Sequence, residues 1–135
     1  MKPLAIWLAI VAIVFGGYAA ATTLLRQTDQ VFVVVDASLS MQTLNNKIIM
    51  ELDSIDDRDD AEFALAIARR NTAELTQSWQ PDLRWTNPQL FAPCSFDGID
   101  AFPEASAADE RILITTPGRC DADRPVGWTI IELTP

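Results

Sequence analysis

An aspartate and two serines at alternate positions, Asp36-x-Ser38-x-Ser40, close a run of β-branched and aromatic residues, Gln30–Val35 (QVFVVV). One carboxylate with two hydroxyls is a hard, all-oxygen donor set suited to Mg²⁺ or Mn²⁺. A single anionic ligand leaves such an ion electrophilic and with open coordination positions, which an acidic group from a partner can fill. The same residues also have a purely structural use. A serine at a helix start accepts a backbone N–H, and an aspartate there favours the positive end of the helix dipole. Spacing alone leaves both readings open.

Little other chemistry is on offer. The chain has no histidine, which excludes Ser-His and Cys-His catalysis, a His-ligated haem and most catalytic zinc sites. Ser38 as a nucleophile would need a base, and Lys47 lies about two helical turns further on. The acidic cluster from Asp53 to Asp60 lacks the glycine and ligand spacing of an EF-hand and reads as a solvated loop. With 19 acidic against 10 basic residues, a net charge of −9 repels phosphate backbones, so no nucleic-acid partner is expected. Cys94 and Cys120 are an even pair in Pro- and Asp-rich surroundings, which suits a disulfide in an oxidising compartment. Trp79, Trp85 and Trp128 are expected to complete a small core rather than to line a recognition surface.

Two segments must position these residues. Between Lys2 and Arg26 there is no charged side chain, and Leu4–Leu25 is almost wholly apolar. About 20 such residues cross a ~30 Å hydrocarbon layer, and Trp7 and Tyr18 lie towards its two ends, where amphipathic rings favour the interface. Ala19-Ala20-Ala21 resembles a signal-peptide cleavage site, but the apolar run exceeds the ~7–15 residues of a signal core and continues past it. Residues 1–27 are therefore expected to be a retained transmembrane anchor and residues 28–135 an extracytoplasmic domain. Lys2 favours a cytoplasmic N-terminus, which puts the domain outside the cytoplasmic (inner) membrane, in the periplasm of a Gram-negative cell.

Within that domain Gln30–Val35 reads as a strand buried on both faces, as in a parallel sheet covered by helices. Leu44, Ile48, Leu52 and Ile55 form one apolar helical stripe. Glu62–Ala68 is a second strand, Arg111–Thr115 a third and Trp128–Leu133 a fourth, with a weak helix over Ala101–Asp109. Asn71–Pro93 reads as a short helix with loops. The predicted class is α/β, a Rossmann-like, mostly parallel sheet flanked by helices and preceded by one transmembrane helix.

VFVVVDASLSM resembles the opening strand and metal-ion-dependent adhesion motif of von Willebrand factor type A domains. The likeness continues in order: EFALAIARRNTAELTQSW with the second strand and the approach to a threonine-bearing loop, SFDGIDAFPEAS with a glycine-rich loop and helix, RILITTPGRC with the strand before a Thr-Asp-Gly loop, GWTIIEL with the next strand. It implies an α/β fold of about six strands used for metal-dependent protein binding, with Asp36, Ser38 and Ser40 as ligands to Mg²⁺ or Mn²⁺. Thr116-Pro117 stands where the pattern has an aspartate, and Asp97-Gly98-Ile99-Asp100 where its glycine-rich loop ends in threonine. Thr76 is the candidate loop threonine, and Asp97, Asp100 or Asp121 the candidate replacement carboxylate. The expected function is an accessory subunit, not an enzyme, docked on the extracytoplasmic face of an integral membrane complex or on an envelope protein. A transient envelope assembly factor and a Mg²⁺-dependent hydrolase are the alternatives.

Overall fold

The computed structural model describes residues 2–25, 28–69, 72–118, 120 and 123–135. Helix α1 (Lys2–Leu25) precedes strand β1 (Asp29–Asp36), in which Val31 to Asp36 are all buried. A 3₁₀ segment (Leu39–Leu44) leads into helix α2 (Asn45–Asp56), and strand β2 (Ala61–Arg69) follows. Strand β3 (Thr72–Gln80), a 3₁₀ turn (Ile99–Ala101), helix α3 (Pro103–Ala107) and strands β4 (Glu110–Thr115) and β5 (Thr129–Glu132) complete the chain.

The five strands lie in the order β3-β2-β1-β4-β5. β1 pairs in parallel with β2 and β4, β4 pairs in parallel with β5, and only β3 is antiparallel. β1 is central because both of its faces are apolar. Val31, Val33 and Val35 point to one side, where Ile48, Leu52 and Ile55 of α2 meet them. Phe32 and Val34 point to the other, against Phe96, Ile99, Ala105 and Trp128. Phe32 packs on Phe102 and Trp128, with ring centroids 5.9 and 5.8 Å away. Burying each such side chain contributes roughly 1.5–3 kcal/mol, so this strand alone supplies a large part of the hydrophobic drive. The tryptophans do complete the core: Trp128 is buried, and Trp79 and Trp85 pack against it from its margins.

The sequence reading missed one strand. Thr72–Gln80 is an edge strand with a single buried residue, the polar Gln77, so its apolar alternation is too thin to register. Register shifts between Phe63 and Ala66 turn Gln77 towards the α2 side. There its Nε2 donates to the carbonyls of Phe63 (3.3 Å) and Asp82 (2.8 Å), and its Oε1 accepts from the Arg84 amide (2.9 Å). Residues 81–93 then climb beside α2. The Leu83 amide donates to Asp56 Oδ1 (2.6 Å), and Trp85 Nε1 donates to Asn45 Oδ1 (3.1 Å). The Ala92 amide ends the climb on the Ala37 carbonyl (2.9 Å). This long segment thus passes from one face of the sheet to the other over the end of β1.

α1 runs 24 residues, and none of its described side chains joins either core cluster. Among the described residues no helix is long and apolar enough to cross a membrane. The expected transmembrane anchor is therefore not established by the fold.

Replacing Gln77 with leucine should leave the Arg84 amide and the Asp82 carbonyl without their partner. A loss of about 1–3 kcal/mol is expected in chemical denaturation of the full-length protein in detergent.

Candidate functional site

The strand order reverses between β1 and β4, the place in an open α/β sheet where a crevice forms at the carboxyl ends of the strands. Asp36 ends β1 and Thr115 ends β4, so the fold puts both residues at that point. Asp36 is 1% exposed, and among the described residues no ion pair includes it. A buried carboxylate without a cation must be met by donors. Oδ1 accepts from the Ser38 amide (2.8 Å), and Oδ2 accepts from Ser38 Oγ (2.9 Å) and Thr115 Oγ1 (2.8 Å).

The hydroxyl chain continues outward from Ser38 Oγ to Ser40 Oγ at 2.8 Å, and from there to Thr116 Oγ1 at 3.0 Å. A carboxylate only accepts, which fixes the sense of the chain. Ser38 spends its proton on Asp36, so Ser40 must donate to Ser38, and Thr116 to Ser40. Ser38 stands at the N-cap of the 3₁₀ segment, yet its side chain makes no capping hydrogen bond. The capping alternative is thus not the one its hydroxyl uses.

The chain opens into a cavity of about 280 Å³ lined by Ser38, Ser40, Thr116, Pro93 and the two half-cystines. Cys94 and Cys120 form a disulfide with a Cα–Cα distance of 6.2 Å, joining the crossing segment to the β4–β5 loop. Cys94 Sγ lies 3.8 Å from Asp36 Oδ2. An oxidised sulfur has no proton, so this is a contact and not a hydrogen bond.

The cavity is lined by neutral hydroxyls, apolar groups and the disulfide, with no carboxylate among its lining residues. Ser38 Oγ, Ser40 Oγ and Thr116 Oγ1 are spaced at 2.8 and 3.0 Å. Asp36 supplies the negative charge behind them. Among the described residues no group of three or more His, Cys, Asp or Glu could hold a metal, so hydroxyls would have to carry much of the shell.

The other candidates lie elsewhere. Thr76 sits mid-strand on β3 and donates to the Leu65 carbonyl (3.0 Å). Asp97 closes a local turn with Ser95 (3.1 Å). Asp100 accepts from Trp128 Nε1 (3.0 Å) and lies 3.9 Å from Arg111, near the start of β4 and away from its carboxyl end. Asp121 falls outside the described residues. The Lys47 ammonium donates to the Thr134 carbonyl rather than approaching Ser38. Thr115 is the residue the sequence reading missed. Its signal was a pair of hydroxyls, Thr115-Thr116, ending the strand that neighbours β1. In comparisons with family models, curated proteins and solved structures, nothing matches this chain.

Thr115→Val keeps the shape but removes one donor to Asp36. A destabilisation of about 1.5–3 kcal/mol is expected, read as a fall of several degrees in thermal midpoint.

Proposed function

We propose that the chain is a membrane-anchored accessory subunit with a shortened von Willebrand factor type A-like domain. The domain docks on a larger membrane complex through a divalent cation held by Asp36, Ser38 and Ser40. The observation that carries this reading is the buried Asp36 behind an outward chain of hydroxyls, at the switch point of a mostly parallel sheet. Helices on both faces and a first strand ending in the Asp-x-Ser-x-Ser triplet also support the resemblance, with five strands where about six are usual. Thr116 takes the place of the expected aspartate and brings a neutral oxygen instead of a charge. A cation held by one carboxylate and several hydroxyls keeps most of its charge, so it attracts a carboxylate from a partner protein.

The anchor rests on two features of α1. It carries no charged residue after Lys2. Leu4, Ile6, Trp7, Leu8, Ile13, Phe15 and Tyr18 are all exposed, the kind of apolar surface that marks a membrane or protein contact. With Lys2 at the cytoplasmic end, the disulfide-bonded domain stands in an oxidising, extracytoplasmic space. Mg²⁺ or Mn²⁺ is the implied cofactor.

Full-length protein purified from its own membranes in mild detergent should bring a stoichiometric partner. EDTA should release that partner, and Asp36→Ala should prevent its capture while the protein stays in the alkali-washed membrane fraction. A partner retained under both treatments would leave a structural subunit without a working cation. A protein that purifies alone would overturn the subunit reading.

A further inference from the structure

The Cys94–Cys120 disulfide is open to reagents on one side and lies against a carboxylate on the other. Both half-cystines line the cavity of about 280 Å³ at the carboxyl edge of the sheet, so a thiol entering from solvent reaches the bridge directly. Cys94 is half-buried, whereas Cys120 is 5% exposed. One sulfur is thus presented and the other shielded. Disulfides that solvent reaches are the exchangeable kind, in contrast to those sealed inside a fold.

Two further observations separate this bridge from a mere staple. The first is that the chain on either side of it has its own fastening. The Ala92 amide donates to the Ala37 carbonyl (2.9 Å) just before Cys94, and Ser38 and Ala92 form an isolated parallel bridge. Beyond Cys120, β5 pairs with β4, and the Leu133 amide donates to the Thr115 carbonyl (2.8 Å). Breaking the disulfide therefore leaves both segments tied to the sheet. The second is the contact of Cys94 Sγ with Asp36 Oδ2, 3.8 Å apart. While the bridge is closed the sulfur has no proton to give. A Cys94 thiol at the same place donates to that oxygen, so the reduced form gains a hydrogen bond that the oxidised form lacks.

We propose that Cys94–Cys120 is an exchange-active disulfide that takes two electrons from a protein or small-molecule dithiol. Cys94 is the sulfur attacked, and Asp36 is the acceptor that stabilises the reduced form. A thiolate of the dithiol bonds to Cys94 Sγ as the Cys94–Cys120 bond breaks. The bonding pair leaves on Cys120, which takes a proton from solvent. The second thiol of the reductant gives up its proton and displaces Cys94 from the mixed disulfide. Cys94 is protonated in turn and donates to Asp36 Oδ2. The reductant ends as a disulfide and the protein as two thiols. No cation takes part, so the exchange stands or falls apart from the cation reading.

The test uses full-length protein in detergent with EDTA present. Oxidised protein is treated with reduced glutathione, and the thiol set free is alkylated at once. Peptide mass spectrometry is expected to find glutathione on Cys94 and the alkyl group on Cys120. Equilibration with a dithiothreitol buffer of set ratio then reads the reduced fraction. Asp36→Asn weakens the acceptor and is expected to shift the couple roughly three- to tenfold towards the disulfide. Thr115→Val removes a competing donor from Oδ2 and is expected to shift it the opposite way. A bridge that only staples the fold would respond to both variants in the same direction, because both loosen the same end of the sheet. Should Asp36→Asn fail to fold, Thr115→Val decides alone, and no shift towards the thiols would overturn the role of Asp36. Glutathione on Cys120, no adduct without denaturant, or shifts of one sign in both variants would each overturn the exchange site. Loss of the sheet's circular dichroism on reduction of the wild type would overturn it too, because the bridge would then hold the fold.

Discussion

The carboxylate of Asp36 has almost no water and no cationic neighbour among the described residues, and much of the upper end of the domain is arranged around that fact. β1 delivers it to the carboxyl edge of the sheet. β4 must then run parallel beside β1 to bring Thr115 within 2.8 Å, and the chain must turn at once for Ser38 to return both its amide and its hydroxyl. An uncompensated charge at this depth would cost several kcal/mol, so the donors are as much a condition of the fold as a feature of a site. Stability and function meet here: the groups that make the carboxylate tolerable also form a ladder of oxygens leading out to a cavity.

The domain is chemically different at its two ends. The carboxyl ends of β1 and β4 carry neutral hydroxyls around one buried acid, with exposed Leu39 and Phe91 nearby. The amino ends, about 25 Å away along an eight-residue strand, carry Asp29, Asp59, Asp109 and Glu110 around a smaller depression. There Arg58 pairs with Glu110 at 2.5 Å, and the remaining acids are open to water. A dense acidic patch in solvent offers charge without a fixed geometry. The hydroxyl ladder offers fixed geometry with a single charge, which is why it is the better candidate for selective docking.

What could be read from the sequence follows from how strongly each segment is buried. β1 is buried on both faces and announces itself as an unbroken apolar run, and α2 shows its stripe because one face packs and the other does not. β3 hides because it is an edge strand whose one buried residue is Gln77, a side chain chosen for three hydrogen bonds rather than for apolar contact. The site divides the same way. Asp36, Ser38 and Ser40 are local in the chain and could be found by spacing. Thr115 joins them across 79 residues and Cys94 across 58, through a strand order and a crossing segment that no local pattern encodes. Thr76, Asp97 and Asp100 were suggested by analogy with a loop pattern, but Thr76 donates to the Leu65 carbonyl, Asp97 bonds Ser95 and Asp100 accepts from Trp128.

On the proposed function, a divalent cation binds at the hydroxyl ladder and not at the acidic end. Paramagnetic broadening by Mn²⁺ in the amide spectrum of isotope-labelled full-length protein tests it most directly. Broadening confined to residues 36–41, 92–94 and 115–118, and abolished in Asp36→Asn, is expected. Broadening centred on residues 56–60 and 109–110, or none at stoichiometric Mn²⁺, would contradict it.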